Sequence, residues 1–507
     1  MKYEQIEMDL SLDHTNNNIN FDSDYFLHNF SHNHIAPESE RQKLEKKYIR
    51  IVEVTDKFNR RIVSYQANKE ESIHKWIKYK EGFSSSLVKT LIDEFGLSQG
   101  DTLLDPFLGS GTSSLTANTL GINSIGIDIL PISHIATQAK SFVYDYNLKE
   151  LGQVYQEIEK LVPKDIGKHF NHLAITKGAF PKTTEQNLLF FTDWNNNSSY
   201  SHETKTLIKL ILTSILEEVS YTRKDGQYLR WDYRSSKVIE SNKKRALKGK
   251  PPIKTVLDKG KLPTVKESLL SALGIIIKDI KSIQMQQSKV PSHKLIKESA
   301  LSALPKIEDD TIDGVITSPP YCNRYDYTRT YALELAYLGV DEKKIRQLRQ
   351  AQLSCTVENK SKLEQLEDYY QRLGLEKRYE KIHKVIKENS VLNEVNQALY
   401  LRNTNGEVNN KGILSMVNGY FVELSFIFYE LFRICKSGAK VAFVNDNVRY
   451  AGEIIPVDFI STKIAEDIGF TPLKIYTLKQ KKGNSSQQMS RYGKVALRKS
   501  ITIWAKP

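Results

Sequence analysis

Cysteine is scarce in this chain. Only Cys322, Cys355 and Cys435 occur among 507 residues, and they lie far apart. That excludes a disulfide framework, and the spacing fits no metal-ligand pattern. The expectation is a reducing, cytoplasmic compartment and no metal. Also missing is an uninterrupted apolar run long enough to span a bilayer. The opening "MKYEQIEMDL" has early acidic residues and no apolar stretch, so it does not read as a secretory signal. Acidic residues are in deficit as well. Lys and Arg number 73 against 60 Asp and Glu, a formal net charge of +13. Such a surplus favours a polyanion, and without a spanning segment the polyanion is nucleic acid rather than a membrane surface. What is present supports a folded enzyme-sized protein: 40% of residues are hydrophobic and 10% aromatic, enough for a sizeable core.

Along the chain the composition changes several times. Residues 1–45 are rich in Asn, Asp, Ser and His and read as a disordered or loosely packed arm. His28, His32 and His34 cluster there, as low-complexity composition rather than a metal site. Globular patterning starts near residue 46. "SSSLVKTLIDEFG" has a serine start, an apolar face at i, i+3 and i+4, and a glycine stop, which predicts a capped helix. "DTLLDPF", "LGSGT", "SSLTANTLG" and "SIGID" follow as strand, Gly loop, helix and strand, a βαβ unit. Residues 146–289 break the alternation with the helical "TKTLIKLILTSILEEVSY", the basic "TRKDGQYLRWDYRSSKVIESNKKRALKGKPPIK" and a further helix. Alternation resumes over 290–340 with "HKLIKESALSALP" and "TIDGVITSPP". A charged helical insertion occupies 341–411. Over 412–507 the pattern is a helix, a Ser-Gly turn and a strand, then another helix and the closing strands "TPLKIYTL" and "KSITIWAKP". No internal repeat is visible.

The first chemical motif is "DPFLGSGT". Two glycines after a strand allow close backbone approach to a ligand, and the next helix presents its N-terminus. No lysine follows in the phosphate-loop position, and the G-x-G-x-x-G spacing fails at Ser114. About twenty residues on, the second strand ends in Asp128, where an acidic residue commonly holds ribose hydroxyls. The ligand therefore carries a ribose and need not carry a pyrophosphate. The second motif is "TSPPYCNRYDY" at 317–327. Its two prolines stiffen the chain as it leaves a buried strand. A serine and a tyrosine flank them, so a hydroxyl and an aromatic face are held together.

"DPFLGSGT" followed by "SPPY" resembles the DNA amino-methyltransferases, which modify exocyclic amines of bases with S-adenosylmethionine. The likeness covers roughly half the chain, and the tail "KKGNSSQQMSRYGKVALRKSITIWAKP" is similar to the end of the cytosine-N4 subgroup. The implied fold is a Rossmann-like class I methyltransferase core: a mostly parallel sheet with helices on both faces, an antiparallel C-terminal strand and two largely helical insertions. By position, Asp105 and Phe107 would line the methionine end of the cofactor pocket. Gly109, Gly111 and Thr112 would shape the loop, Asp128 would bind ribose, and Glu298 would stand near the adenine. Phe83 and Ser86, in "GFSSSLV", resemble the motif that backs the methionine moiety. Ser318, Pro319, Pro320 and Tyr321 would form the catalytic loop. Serine in its first position leans toward cytosine N4 over adenine N6.

A base inside a duplex hides its amine, so such an enzyme flips the nucleotide out. Ser318 Oγ and the Pro319 carbonyl would accept from the amine hydrogens, and the Tyr321 ring would stack on the base. Cys322 does not directly follow a proline, as the nucleophile of carbon-5 enzymes does, and reads as packing. The expected partner is double-stranded DNA, contacted by Arg324, Tyr327 and Arg329 after the catalytic loop. Arg230, Lys243, Lys244 and Arg245 would join them from the first insertion, the candidate DNA-recognition region. "VNDN" at 444–447 ends a strand on the same side as the motifs. Three functions fit: a DNA methyltransferase of a restriction-modification system, whose endonuclease would act independently; an RNA base methyltransferase; and an inactive DNA-binding specificity protein.

Overall fold

The computed structural model describes residues 38–507 except Arg60, Gln227, 286–290, 479–491, Lys494 and Ala496. Most of the expected N-terminal arm, with its three histidines, lies outside the described residues. Its last part is a helix, Glu40–Tyr48, closed by a capping box between Ser39 and Gln42. Buried Arg41 fixes that helix through ion pairs to Glu394 at 2.6 Å and Glu453 at 2.9 Å. Ordered packing thus begins ahead of residue 46.

The described strands, in chain order, are β1 (Val52–Thr55), β2 (Thr102–Asp105), β3 (Asn123–Ile127), β4 (Thr222–Asp225), β5 (Tyr228–Trp231), β6 (His293–Ile296), β7 (Ile312–Thr317), β8 (Cys435–Asp446), β9 (Val448–Tyr450), β10 (Glu453–Ile455), β11 (Thr471–Leu478) and β12 (Lys499–Ala505). Eight form one sheet in the order β1-β11-β12-β8-β7-β2-β3-β6. β12 runs antiparallel to β8 and β11, while the neighbours from β8 through β7, β2 and β3 to β6 are parallel. This is the Rossmann-like, mostly parallel arrangement with an antiparallel C-terminal strand. The order reverses at β2: β3 and β6 lie on one side, β7 and β8 on the other. A ligand crevice is expected beyond the carboxyl ends of the strands at such a switch point.

Local chemistry explains the elements around that point. Ser84 Oγ accepts from Leu87 N at the start of helix Ser85–Phe95, and Gly96 ends it at φ +74°. Its apolar face, with Leu87, Val88, Leu91 and Ile92, covers one side of the sheet with Leu103 and Ile316. Helix Gly412–Ile434 covers the other side, burying Tyr420, Leu424, Phe428 and Leu431. By length and composition it is apolar enough to cross a membrane, yet most of it is buried in one of the protein's core clusters. The expected Ser-Gly turn after it is a bulge within β8: Ile312 pairs with Cys435 but Gly314 with Lys440, and Gly438 takes φ +82°.

Between β3 and β6 the chain is mainly helical, with Leu148–Lys160, Lys182–Asn197, His202–Ser214, Ser236–Ala246 and Val265–Gln284. Helix Pro131–Ser141 and residues Tyr331–Ala336 share a second core with most of these. Among the described residues β4 and β5 pair only with each other, as an antiparallel ribbon outside the large sheet. The sequence pattern had not revealed this ribbon. Its signal is the Asp225-Gly226 turn between alternating residues.

Candidate active site

Asp105, the last residue of β2, is buried. Its Oδ1 accepts from Phe107 N at 3.0 Å and from Thr317 Oγ1 at 2.7 Å, while Oδ2 accepts from Ser113 Oγ. One carboxylate thus ties together the loop after β2, the helix that follows and the end of β7. Burial pushes it up to about 6. The two loop glycines are needed for different reasons. Gly109 has φ +57°, and a Cβ there would stand 3.1 Å from the Tyr79 ring. Gly111 has φ +87°, and a Cβ would meet Thr137 Oγ1 at 2.9 Å. Thr112 opens helix Thr112–Thr119 and receives Asn68 Nδ2 at 3.3 Å. Beneath the loop, the buried Lys140 ammonium donates to the Ser110 carbonyl at 3.0 Å. Burial lowers that lysine to about 7.

Asp128 follows β3. Its Oδ2 accepts from Gly109 N and its Oδ1 from Leu130 N, both at 2.8 Å. Burial raises it to about 6. The carboxylate retains acceptor capacity toward a ligand, because each oxygen has one of these donors and can take more. It lines a cleft of about 540 Å³, mouth included, between the ends of β2, β3, β6 and β7. Phe107 and Gly109 stand on one side, Ser318, Pro320 and Tyr327 on another, with Glu298 and Gln352 completing it. Tyr79 and Glu81, from the segment before helix Ser85–Phe95, line it too.

The loop after β7 carries Ser318 at the cleft. Ser318 Oγ donates to Tyr321 Oη at 3.1 Å. Lys499 Nζ lies 5.4 Å from the Tyr321 ring centroid and 3.5 Å from Asp446 Oδ1. The antiparallel register that pairs Lys499 with Asp446 brings them to this loop. Burial raises Tyr321 and Glu81 above their ordinary values. Cys322 is fully buried, its thiol is pushed up by that burial, and its carbonyl accepts from Tyr450 Oη at 2.6 Å. Cys322 belongs to the core cluster that holds Tyr420 and Phe421 and does not line the cleft.

Of the residues singled out in the sequence, Phe107, Gly109, Asp128, Glu298, Ser318, Pro320 and Tyr327 meet around one cleft. Asp105, Gly111, Thr112 and Pro319 are buried and do not line it, and Tyr321, also outside the lining, accepts from Ser318. Glu298 is exposed and pairs with Lys306 at 2.7 Å. Phe83 and Ser86 do not line the cleft. Phe83 packs with Phe58 and Leu87, and Ser86 Oγ meets Ser84 Oγ at 2.7 Å. The neighbouring Tyr79 and Glu81 line the cleft. Sequence reasoning missed those two, and also Lys140 and Lys499. Lys140 had a signal, a lysine on the buried helix face of small residues Ser133, Ala136 and Thr137. Lys499 had none within its own stretch.

The basic candidates are dispersed. Arg324, at φ +66°, donates to Asn409 Oδ1 at 3.2 Å. Arg329 pairs with Asp326 and Glu358, so carboxylates already offset its charge. Arg230 pairs with Asp225 at 2.5 Å on the exposed ribbon. Lys243, Lys244 and Arg245 end helix Ser236–Ala246; both lysines are exposed, and Arg245 Nε donates to the Pro251 carbonyl at 2.7 Å.

Comparison with known proteins adds to this geometry. The family profile N6_N4_Mtase, described as DNA methylase, matches residues 10–140. A protein of Geobacillus stearothermophilus named Type II methyltransferase M.BsoBI is 72% identical over 511 residues, covering 100% of both chains. The Type II methyltransferase M.AvaI of Nostoc sp. is 38% identical over 475 residues, 92% of each chain. Type II methyltransferase M.MjaII of Methanocaldococcus jannaschii is 30% identical over 123 residues, 21% of this chain and 23% of its own.

Proposed function

The chain belongs to the N6/N4 DNA methylase family, and from that premise we propose that it methylates the exocyclic N4 amine of cytosine in double-stranded DNA. Its methyl donor is S-adenosylmethionine, and it serves as the modification enzyme of a restriction-modification system. The matching family profile, described as DNA methylase, supports the DNA substrate. A restriction endonuclease acting independently on the same sequence is the partner this reading implies. One observation carries the mechanism: Ser318, Asp128 and the Gly109 loop open onto a single cleft, and Thr317 is bonded to Asp105 immediately behind it.

The residues fit the cofactor. Asp128 offers acceptor sites for ribose hydroxyls, Gly109 lets the loop approach without a side chain, and Phe107 supplies an apolar wall. Glu298 stands on the side away from Ser318's strand, where the adenine would lie. When bound, S-adenosylmethionine supplies the electrophilic methyl group. The chain's own work is positioning and electrostatics. The amine of a base is a poor nucleophile because its lone pair is delocalised into the ring. The Ser318 hydroxyl donates a hydrogen bond to Tyr321 Oη, which leaves the Ser318 lone pairs available to accept from the amine. The prolines hold that hydroxyl and the Pro319 carbonyl still. Together these acceptors favour a more tetrahedral amine nitrogen as it attacks.

Serine in the first loop position supports cytosine N4 over adenine N6. Nucleoside mass spectrometry of DNA from cells expressing the protein tests the assignment, and N4-methylcytosine is expected. N6-methyladenine without N4-methylcytosine would overturn the base and keep the enzyme class. Neither product, with the protein folded and expressed, would overturn the methyltransferase reading.

A further inference from the structure

The β4–β5 ribbon has two faces of opposite character. Along β4 the residues alternate buried and exposed, Thr222 and Lys224 inward, Arg223 and Asp225 outward. Along β5, Tyr228 and Arg230 face outward, and Leu229 and Trp231 pack toward the helical core. The register sets Arg223 directly opposite Arg230. Like charges facing one another across strands destabilise a ribbon in water. Asp225 offsets Arg230, yet Arg223 has no carboxylate partner among the described residues. Tyr228 adds an aromatic ring 64% exposed beside them. A face of this composition suits an anionic partner.

The inward face does the reverse and fixes the ribbon to the cleft. Lys224 makes a buried ion pair with Glu334 and lies 4.6 Å from the Tyr331 ring centroid. Tyr331 stacks on Tyr79 at 4.7 Å and 15°, and Tyr79 lines the cleft. Lys80 Nζ donates to the Lys224 carbonyl at 2.6 Å, so the residue between Tyr79 and Glu81 also holds the ribbon. A buried ion pair adds little net stability but specifies one orientation.

We propose that this ribbon enters the major groove of duplex DNA beside the extruded base and that Arg223 and Arg230 read base edges there. The inference rests on the DNA methyltransferase reading above. The major groove admits a two-stranded ribbon, and an arginine there can bond a guanine through two acceptors. The ribbon's rigid link to the cleft wall then sets the distance between the read bases and the target base. Lys243, Lys244 and Arg245 lie on a separate helix and grip phosphates, which carries no sequence information.

The test uses the full chain with two duplex oligonucleotides. One carries the sequence that the wild-type protein modifies in host DNA, mapped by sequencing; the other is the same duplex scrambled. Arg223→Gln, Arg230→Gln and the double variant are compared by fluorescence anisotropy, with thermal melts confirming the fold. Each single variant is expected to lose about tenfold on the mapped duplex, and the double variant more. Loss on the scrambled duplex should be several times smaller. A double variant whose preference for the mapped duplex equals that of the wild type would overturn the inference, as would an equal loss on both duplexes. If the wild-type protein modifies no duplex DNA, the underlying reading falls first.

Discussion

At the cleft, every carboxylate oxygen of Asp105 and Asp128 accepts from the protein's own backbone or hydroxyl groups. On the β4–β5 ribbon, arginines face each other across strands and point to water. The first region is preorganised. Its polar groups are held before any ligand arrives, so the small ligand it suits does not have to order them. The second is incomplete by itself, and its exposed cations remain in high dielectric until a polyanion displaces water and counterions. A buried site is therefore sensitive to the loss of one atom or one proton. A charged surface responds to salt and to the number of charges.

Four changes sharpen or break that comparison. The largest effect is expected from Ser318→Ala, which removes an acceptor acting chiefly in the transition state. Turnover should fall by roughly 10²–10³, as for loss of one preorganised polar group. Calorimetry should find S-adenosylmethionine binding unchanged. Full activity would remove Ser318 from the chemistry.

Asp128→Ala should weaken S-adenosylmethionine by roughly 1–3 kcal/mol, the scale for hydrogen bonds to a charged group. Asp128→Asn should lose less, because it keeps an acceptor for a backbone donor. The pH dependence has a definite sign. Asp128 sits at about 6, so it is ionised above that pH and protonated below. Cofactor affinity should therefore fall as pH drops through 6, approaching tenfold at pH 5. The cofactor-free protein should behave oppositely. A carboxyl raised from about 4 to about 6 binds more protons folded than unfolded, so its contribution to stability declines as pH rises across that window. A pH-independent affinity would separate Asp128 from the ribose.

Gly109→Ala is the third. A non-glycine residue at φ +57° costs about 1–2 kcal/mol, and the added Cβ presses on the Tyr79 ring. Loss of folding stability comparable to that cost, measured by denaturant melts, is expected. Unchanged stability would show that the loop relaxes to a conformation that alanine tolerates.

The smallest effect at low salt is expected from neutralising Lys243, Lys244 and Arg245 together. DNA binding should weaken similarly on all sequences, and the slope of log affinity against log salt should fall by about three, one per lost phosphate contact. An unchanged slope would move the phosphate grip off this helix.

Much of the cleft was legible because its parts are local. Ser84 and Gly96 bound a helix through capping geometry that depends on a few neighbouring residues. Gly109 and Gly111 after an apolar strand announce a tight approach of backbone. The β4–β5 ribbon was less visible, since its basic residues dominate the composition and mask the alternation of its two faces. Phe83 and Ser86 were singled out although Tyr79 and Glu81 are the residues that reach the cleft. A motif marks a stretch of chain, but which of its side chains points inward depends on how the segment leaves the helix.

The sequence by itself determined the strand–loop–helix unit around Asp105, the stiff turn at Ser318 and the charged character of the stretch after Tyr221. Each follows from interactions within a few residues: φ preferences, caps and side-chain periodicity. Only the tertiary structure decided that β7 lies beside β2, so that Thr317 bonds to Asp105 across 212 positions of chain. It alone placed Lys499 against Tyr321 through the register of β12 on β8. Strand order and register come from burying apolar faces contributed by distant segments, and no local window of sequence contains both partners.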